Sequence, residues 1–307
     1  MAHSEEQSGV VASDLMARVR QIQIRTHKLV DDALAGAYHS TFRGSGIEFD
    51  EVRPYEAGDD VRTIDWKRTA RAQQPFVKKY VEERELSVEL CVDTSRSMDF
   101  GTRESSKREL AAQFCALIAF VAQRHQDRVG LRLFGAEMGL HLPAAKGGGA
   151  VSRLVREVIA AEPTDGRADY AHALEQARRT LRRRSFILVI SDFADVHERR
   201  EWADRLVPLA RRHDVVLVRV VDPFEEELPN AGVVLLADQE SGELREVDTR
   251  SAHVRAKWAE AAASRRAGFQ ALLARAGCDA IELSTARDVA APVIQFFKQR
   301  RRRRGTR

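Results

Sequence analysis

The sequence predicts an α/β fold with a doubly wound, mostly parallel sheet. Three near-continuous apolar runs of strand length, at 86–93, 185–192 and 214–222, are typical of strands that are buried on both faces. Segments with helical periodicity lie between them, for example at about 105–124 and 197–212. Strands and helices in alternation imply a parallel sheet that is covered by helices on both sides and joined by right-handed crossovers.

Shorter elements complete this part of the chain. Residues 128–135 and 279–284 are predicted to form strands, and 233–247 has the pattern of a hairpin with its turn near Ser241 and Gly242. The remaining helices are predicted at about 150–161, 169–183, 251–276 and 288–302. In an open sheet of this kind, ligands bind beyond the carboxyl ends of the strands, where the strand order reverses.

Two further segments precede the α/β region. Apolar residues at helical spacing, such as Leu15, Val19 and Ile22, predict an amphipathic helix at about 13–36. Residues 40–80 are dense in glycine and charge, which indicates a compact, turn-rich β subdomain. The predicted organisation is an N-terminal helical segment, a turn-rich subdomain, an α/β domain and a basic tail, at 1–36, 37–85, 86–297 and 298–307.

The net charge of +4 comes from one end of the chain. Residues 298–307 hold seven basic groups and no acidic one, so the other 297 residues carry a net charge of −3. A terminal arginine run is usually solvated and mobile, and it specifies no particular partner. Nucleic-acid binding would depend on this tail alone, and the acidic body does not favour it.

Composition excludes several other classes. The first residues lack the basic and apolar regions of a signal peptide, and the most apolar stretch falls short of the roughly 20 residues that span a bilayer. Cys91, Cys115 and Cys278 are far apart in apolar runs, as expected of buried thiols in a reducing compartment. The nine histidines have no zinc-site spacing. We therefore expect a cytoplasmic protein without a membrane span.

The motif that carries chemistry follows the first buried strand. Asp93, Ser95 and Ser97 supply one carboxylate and two hydroxyls within five residues. A second predicted strand ends in Ser191 and Asp192. If these two strands are neighbours, both carboxylates meet at one edge of the sheet. Oxygen ligands of this kind suit a hard divalent cation such as Mg²⁺.

Structural explanations compete with the functional ones. Asp, Thr and Ser after a strand are ordinary helix caps and turn formers. In the 48–71 segment, acidic and basic residues alternate, which more often indicates a structural ion-pair network than a catalytic pair. We expect this segment to be scaffold first and partner surface second. Trp66 is expected to anchor the core of the subdomain. Phe42, Tyr55 and Trp66 are also candidates for a contact surface, but burial is the expectation for each.

The sequence resembles two known groups. The Asp-x-Ser-x-Ser motif that starts at Asp93 is similar to the metal-ion-dependent adhesion site of von Willebrand factor A-type domains. FRGSGIEFDEVRPYEAGDDVRTIDWKRTAR (42–71), PFVKKY and LCVDTSRSMDFG (90–101) resemble the bacterial domain-of-unknown-function 58 proteins, and the resemblance covers nearly the whole chain. The matching residues are Gly44, Gly46, Glu48, Phe49, Arg53, Gly58, Asp59, Asp60, Arg62, Asp65, Trp66 and Arg71.

The resemblance implies a cytosolic von Willebrand A-type domain that works with a MoxR-type AAA+ ATPase in chaperone-like or complex-maturation roles. It implies that Asp93, Ser95 and Ser97 ligate Mg²⁺ or another divalent cation directly, while Asp192 binds through water or orients the ligands. In related domains the metal keeps an open coordination position, which an Asp or Glu of a partner protein fills. One departure is Ala168, which stands where the family usually has threonine; Thr164 is the other hydroxyl in this loop.

Two alternatives belong to other classes. A magnesium-dependent phosphoester hydrolase would use Asp93 as its nucleophile, but it would want a second acid where Ser95 stands. No Gly-x-x-x-x-Gly-Lys-[Ser/Thr] loop is present for ATP binding. Nucleic-acid binding through the 298–307 tail is the other alternative. We expect a non-enzymatic interaction module, and the sequence leaves its client, its metal and its oligomeric state open.

Overall fold

The computed structural model describes residues 32–42, 48–72, 74–81, 85–103, 105–195, 201–237 and 243–305. The helix predicted at 13–36 falls mostly outside these ranges, and so does the turn predicted near Ser241 and Gly242. The strands are β1 (Glu48–Pro54), β2 (Phe76–Val81), β3 (Ser87–Asp93), β4 (Arg128–Phe134), β5 (Met138–Ala145), β6 (Phe186–Ser191), β7 (Asp214–Val221), β8 (Val233–Ala237), β9 (Leu244–Asp248) and β10 (Asp279–Ser284). The helices are α1 (Asp32–Phe42), α2 (Trp66–Ala72), α3 (Lys107–Arg124), α4 (Gly148–Ala160), α5 (Tyr170–Thr180), α6 (Glu201–Arg212), α7 (Pro223–Glu226), α8 (Ala252–Ala276) and α9 (Ala290–Gly305).

A six-stranded sheet forms the centre of the structure, in the order β10–β7–β6–β3–β4–β5. Every neighbouring pair is parallel except β4 and β5. The chain passes from β3 to β4 on one side and later enters β6 on the other side of β3, so the strand order reverses between β3 and β6. The predicted doubly wound, mostly parallel α/β fold is confirmed.

Apolar side chains on both faces of the sheet create two core layers. Leu90 of β3 packs in the layer formed with α1, α3, α4 and α9, whereas Cys91 faces the layer formed with α5, α6 and α8. Because both faces are covered, the strands are apolar almost throughout, which is the pattern in the sequence. Within the described ranges, no helix combines the length and the apolar character needed to cross a membrane.

The start of α3 is defined by a capping box. The Ser106 hydroxyl accepts a hydrogen bond from the backbone N–H of Glu109, and the Glu109 carboxylate accepts one from the backbone N–H of Ser106. This reciprocal pair satisfies two of the otherwise unpaired donors at the helix start. Lys107 is therefore held as the first helical residue, where its side chain enters the protein.

The turn-rich subdomain pairs β1 with β2 in antiparallel register and adds the short helix α2. Trp66, the first residue of α2, is 69% exposed, so the expectation that it anchors the core was wrong. The reason is that α2 contains no buried residue. It is joined to β2 by the Thr69 hydroxyl, which accepts a hydrogen bond from the Phe76 N–H, and by the Asp65 N–H just before the helix, which donates to the Phe76 carbonyl. Tyr55 is half-buried.

The edge strand β5 and the end of the final helix α9 differ from the sequence prediction. The edge strand β5 was not predicted, because its exposed side chains and Pro143 lack the apolar run of a central strand. The final helix, which was predicted to end at about residue 302, continues to Gly305. Its Arg300 is ion-paired with Asp214 and Asp279 beneath β7 and β10, which holds this part of the helix in place.

Candidate metal centre at the carboxyl edge of the sheet

The loop after β3 is shaped by its own polar side chains. Asp93 is the last residue of the strand, and its Oδ1 atom accepts a hydrogen bond of 2.8 Å from the backbone N–H of Ser95. The backbone N–H and the hydroxyl of Thr94 both donate to the Phe134 carbonyl, which ties the loop to β4. A short 3-10 helix then places Ser97 beside Ser95 and buries Met98 beneath them.

The loop after β6 brings the second carboxylate to the same place. Because β3 and β6 are parallel neighbours, Asp93 and Asp192 lie side by side, as the sequence predicts. The Ser191 hydroxyl donates a 2.6 Å hydrogen bond to the Oδ2 atom of Asp93. Burial raises the pKa of Tyr170 well above its usual range, so its hydroxyl stays protonated and donates to Ser191 at 2.8 Å. This chain of donors orients Asp93.

A strained residue follows Asp192. Phe193 has a φ of 52°, a left-handed conformation that costs a bulky residue roughly 1–2 kcal/mol. Its ring is buried between Tyr170, Trp202 and Phe269, with centroids 5.7, 5.9 and 5.1 Å away. This aromatic packing stabilises the sharp turn after β6. Strained backbone conformations of this kind are common at functional sites.

A small cleft opens above the two loops. The Oγ atoms of Ser95 and Ser97 lie 3.1 Å apart and face this cleft, whose volume of about 30 Å³ has room for about one or two ions or waters. Asp192 lines it as well, whereas Asp93 is only 1% exposed and lies behind the serines. The remaining lining residues are Arg96, Gly166, Arg167, Ala168, Tyr170, Ala194 and Asp195.

Asp93 is a buried carboxylate without a counter-ion. Its hydrogen-bond donors are neutral, and it pairs with no Lys, Arg or His among the residues that the structure describes. Burial, followed by repulsion from Asp192, raises the pKa of Asp93 to about 6. An ionised carboxylate in such a place is costly unless a cation balances it.

Lys107 provides a positive charge near the two aspartates, but its ammonium is paired with Asp192 and not with Asp93. Its ammonium is completely buried and lies 2.7 Å from Oδ2 of Asp192 and 2.6 Å from Oε1 of Glu225. Burial alone would lower the pKa of Lys107, but the two carboxylates raise it, so the ammonium stays charged. Burial likewise opposes ionisation of Asp192, but Lys107 lowers its pKa.

The charges of this cluster do not balance. Asp93, Asp192 and Glu225 contribute three carboxylates and Lys107 one ammonium, which leaves two negative charges in excess. The Glu225 carboxylate is fixed in part by the capping box of α7 with Asp222. One divalent cation would bring the buried cluster to neutrality.

The donor set fits such a cation. Mg²⁺ binds oxygen in an octahedron at 2.0–2.1 Å, so neighbouring ligand oxygens lie about 3 Å apart. The 3.1 Å between the hydroxyls of Ser95 and Ser97 matches this edge. In the described part of the chain, no group of three or more His, Cys, Asp or Glu side chains is placed to hold an ion, so a cation here would depend on hydroxyls and water.

Ala168, at the position where the family usually has threonine, and Thr164, the other hydroxyl in this loop, differ in their position relative to the cleft. The Ala168 methyl lines the cleft, so a threonine at 168 would bring a hydroxyl to the cleft. Thr164 does not line it: its backbone N–H donates to Thr94 O, and its Oγ1 lies against Gly135, where a Cβ would come within 1.7 Å. Thr164 therefore does not substitute for the missing ligand.

Sequence reasoning missed several residues of the site. Ser191 precedes the predicted Asp192 and was available from the same pattern. Lys107 had a weaker signal, because it lies in the charged first turn of α3, where a lysine is usually exposed to solvent. Glu225 and Tyr170 had none, since only the packing of α7 and α5 brings them to the site.

Relatives of this chain come from mycobacteria. The uncharacterized protein Rv1480 of Mycobacterium tuberculosis is 35% identical over 290 residues, covering 94% of this chain and 90% of the relative. The uncharacterized protein Mb1516 of Mycobacterium bovis matches to the same extent. The uncharacterized protein MAV169 of Mycobacterium avium is 36% identical over 163 residues, which are 52% of this chain and 94% of that protein.

Solved structures show a weaker likeness. BatB of Bacteroides thetaiotaomicron is 15% identical, with a TM-score of 0.46 over 71% of this chain and 99% of that chain. The SpRpn10 VWA domain is 10% identical, with a TM-score of 0.36 over 69% of this chain and 95% of that chain. The fold assignment therefore rests on the strand order given above. The family described as protein of unknown function DUF58 matches residues 51–268, and the chain belongs to this family.

Proposed function

We propose that this chain is a non-enzymatic protein-interaction module whose contact site contains a divalent cation, with Mg²⁺ the best fit. Ser95, Ser97 and Asp192 face the cleft and would hold the ion, and Asp93 would supply charge from behind the serines. The observation that carries the proposal is the buried Asp93 carboxylate, which has neutral donors and no counter-ion in the described structure.

The cation would supply a coordination position for an acidic side chain of a partner protein. The chain's own residues prepare the cleft for an anion. Arg96, held by Asp165, and Arg167 line it, so an approaching carboxylate meets positive charge. Because Ala168 replaces the usual threonine, a water molecule would occupy one more coordination position of the ion.

The partner that best fits the proposal comes from the family resemblance. A MoxR-type AAA+ ATPase, acting with this chain on a client protein in complex maturation, would provide the acidic contact. The location that suits this partnership is the cytoplasm.

The hydrolase alternative is less well supported. A nucleophile must reach the substrate, whereas Asp93 is 1% exposed and both of its oxygens already accept hydrogen bonds. The residues that line the cleft in the described structure include no histidine, which is the commonest general base.

Binding of a purified MoxR-type ATPase from the same genome tests the proposal. A chelator would also strip Mg²⁺ from the nucleotide of the ATPase, so the deciding comparison is made at constant Mg²⁺. We expect Ser97→Ala to weaken the complex at least tenfold, while the control Thr164→Val, in the same region but outside the cleft, binds like the wild type. Equal binding by Ser97→Ala would rule out a contact through this site.

A further inference from the structure

An exposed apolar and basic surface lies on the turn-rich subdomain. Trp66 is 69% exposed and Val61 is 61% exposed. Neither the 3-10 helix that starts at Val61 nor α2 contains a buried residue, so these side chains contribute no packing to the described fold. We call the exposed side chains of Val61, Arg62, Trp66, Lys67 and Arg71 the Trp66 surface.

The Trp66 surface is positively charged. Residues 61–72 include four basic side chains and one acidic one, Asp65. The Asp65 carboxylate accepts hydrogen bonds from the backbone N–H groups of Lys67 and Arg68. The side chains of Arg62, Lys67 and Arg71 are exposed and form no ion pair with any residue in the described ranges. Lys67 and Arg71 are four residues apart and share one face of α2.

Backbone contacts hold this surface in one conformation. The N–H of Asp65 donates to the Phe76 carbonyl at 2.8 Å, and the N–H of Phe76 donates to the Thr69 hydroxyl at 3.0 Å. The guanidinium of Arg68 lies 5.5 Å from the centroid of the Phe76 ring. These contacts fasten α2 to β2, while the Trp66 side chain stays 69% exposed. A preorganised surface loses little entropy on binding.

We infer that the Trp66 surface docks an acidic protein segment that also carries apolar residues. Tryptophan and arginine are the residues most enriched at the energetic centres of protein interfaces. The side chains of Arg62, Lys67 and Arg71 would attract carboxylates of the partner, and Trp66 and Val61 would pack against its apolar side chains. Glu56 and Asp60, which precede this segment, are exposed acids, so the run of basic residues is confined to 61–72 and is short for a long phosphate backbone. This contact uses none of the cleft residues and is independent of a divalent cation.

Fluorescence anisotropy of a labelled synthetic peptide of glutamate and leucine, with the full chain in EDTA, tests the inference. We expect binding that weakens as salt rises and that falls at least tenfold in Trp66→Ala and in the double variant Lys67→Glu/Arg71→Glu. The matched control is Lys257→Glu/Arg211→Glu, which makes the same charge change at exposed positions of α8 and α6. It is expected to bind like the wild type.

Other outcomes would overturn the inference. Unchanged affinity in Trp66→Ala would show that the tryptophan is no contact, and equal binding of a lysine–leucine peptide would remove the charge argument. Single-stranded DNA that bound more tightly than the acidic peptide, and lost affinity in the same variants, would assign the surface to nucleic acid instead. Circular dichroism confirms that each variant is folded, and Trp66→Ala removes only an exposed side chain.

Discussion

The ammonium of Lys107 lies 2.7 Å from the Oδ2 atom of Asp192, with no part of the lysine side chain exposed to solvent. Together with Glu225, these residues link the start of α3, the end of β6 and α7. The ion pair explains how Asp192 can be ionised beside Asp93, and it leaves Asp93 as the carboxylate that lacks a cation.

Lys107→Met is expected to lower the free energy of unfolding by about 3–5 kcal/mol, because it leaves the buried Asp192 carboxylate and the partly exposed Glu225 carboxylate without their ammonium partner. The measurement is urea unfolding followed by circular dichroism. Lys257→Met, at an exposed position of α8, serves as the control and should be neutral. The double variant Lys107→Met/Glu225→Gln should recover part of the loss. A single variant as stable as the wild type would contradict the role given to this ion pair.

Ala168→Thr is expected to strengthen Mg²⁺ binding about threefold to tenfold, the effect of one added oxygen contact. The physical reason is that Ala168 lines the cleft, so the new hydroxyl would replace a water in the ion's shell. Isothermal titration calorimetry measures the change. Thr164→Val, which alters a hydroxyl outside the cleft, should leave affinity as it is. An equal response of both positions would show that the cleft is not where the metal binds.

Arg300→Ala is expected to destabilise the domain by about 2–4 kcal/mol, because Asp214 and Asp279 lose their main partner. The side chain of Arg300 is only 12% exposed. Arg301→Ala, one residue later and exposed, is expected to change stability by less than about 0.5 kcal/mol. Urea unfolding of the two variants makes the comparison. Equal effects would mean that the arginine run acts only through its net charge.

Stability is expected to fall on acidification through His213. Burial, followed by the nearby Arg212 and Arg184, lowers the pKa of His213 to about 4, and its Nδ1 accepts a hydrogen bond from the backbone N–H of Ser185. The unfolded chain takes up the proton near pH 6.5, before the folded chain does. The free energy of unfolding therefore decreases as the pH drops from about 6.5 to about 4, by about 2–3 kcal/mol from this group.

The pH dependence of unfolding in His213→Gln checks this assignment. The variant should lose most of the slope between pH 6.5 and 4. The control His253→Gln, at an exposed position of α8, should keep it. An unchanged slope in His213→Gln would place the acid sensitivity elsewhere in the molecule.

The parts of the fold with strong periodicity were predictable from the sequence. The buried strands β3, β6 and β7 and their helices were placed within a few residues, because two covered faces leave little polar alternation. Asp93 and Asp192 were expected to converge, since both follow strands of one parallel sheet. The edge strand β5 was missed because exposure on its outer side removes this signal.

The remaining errors concern side chains whose positions depend on tertiary contacts. A tryptophan is usually buried, and no pattern in residues 61–72 indicated that α2 would contain no buried residue and leave Trp66 exposed to solvent. Lys107 enters the site only because the capping box of α3 begins the helix there. Arg300 was expected to lie in a solvated tail because its partners, Asp214 and Asp279, are distant in sequence.

The central claim is that the cleft lined by Ser95, Ser97 and Asp192 binds a divalent cation, for which the buried Asp93 provides negative charge. Urea unfolding of the wild type and of Asp93→Asn at pH 7.5, in EDTA and in Mg²⁺, tests it directly. Because the folded-state pKa of Asp93, about 6, lies above its unfolded value, the ionised group destabilises the metal-free fold at this pH. We predict that in EDTA Asp93→Asn is more stable than the wild type, by about 1–3 kcal/mol, and that only the wild type gains stability from Mg²⁺. A less stable Asp93→Asn together with a wild type that ignores Mg²⁺ would contradict the claim and make Asp93 a structural cap.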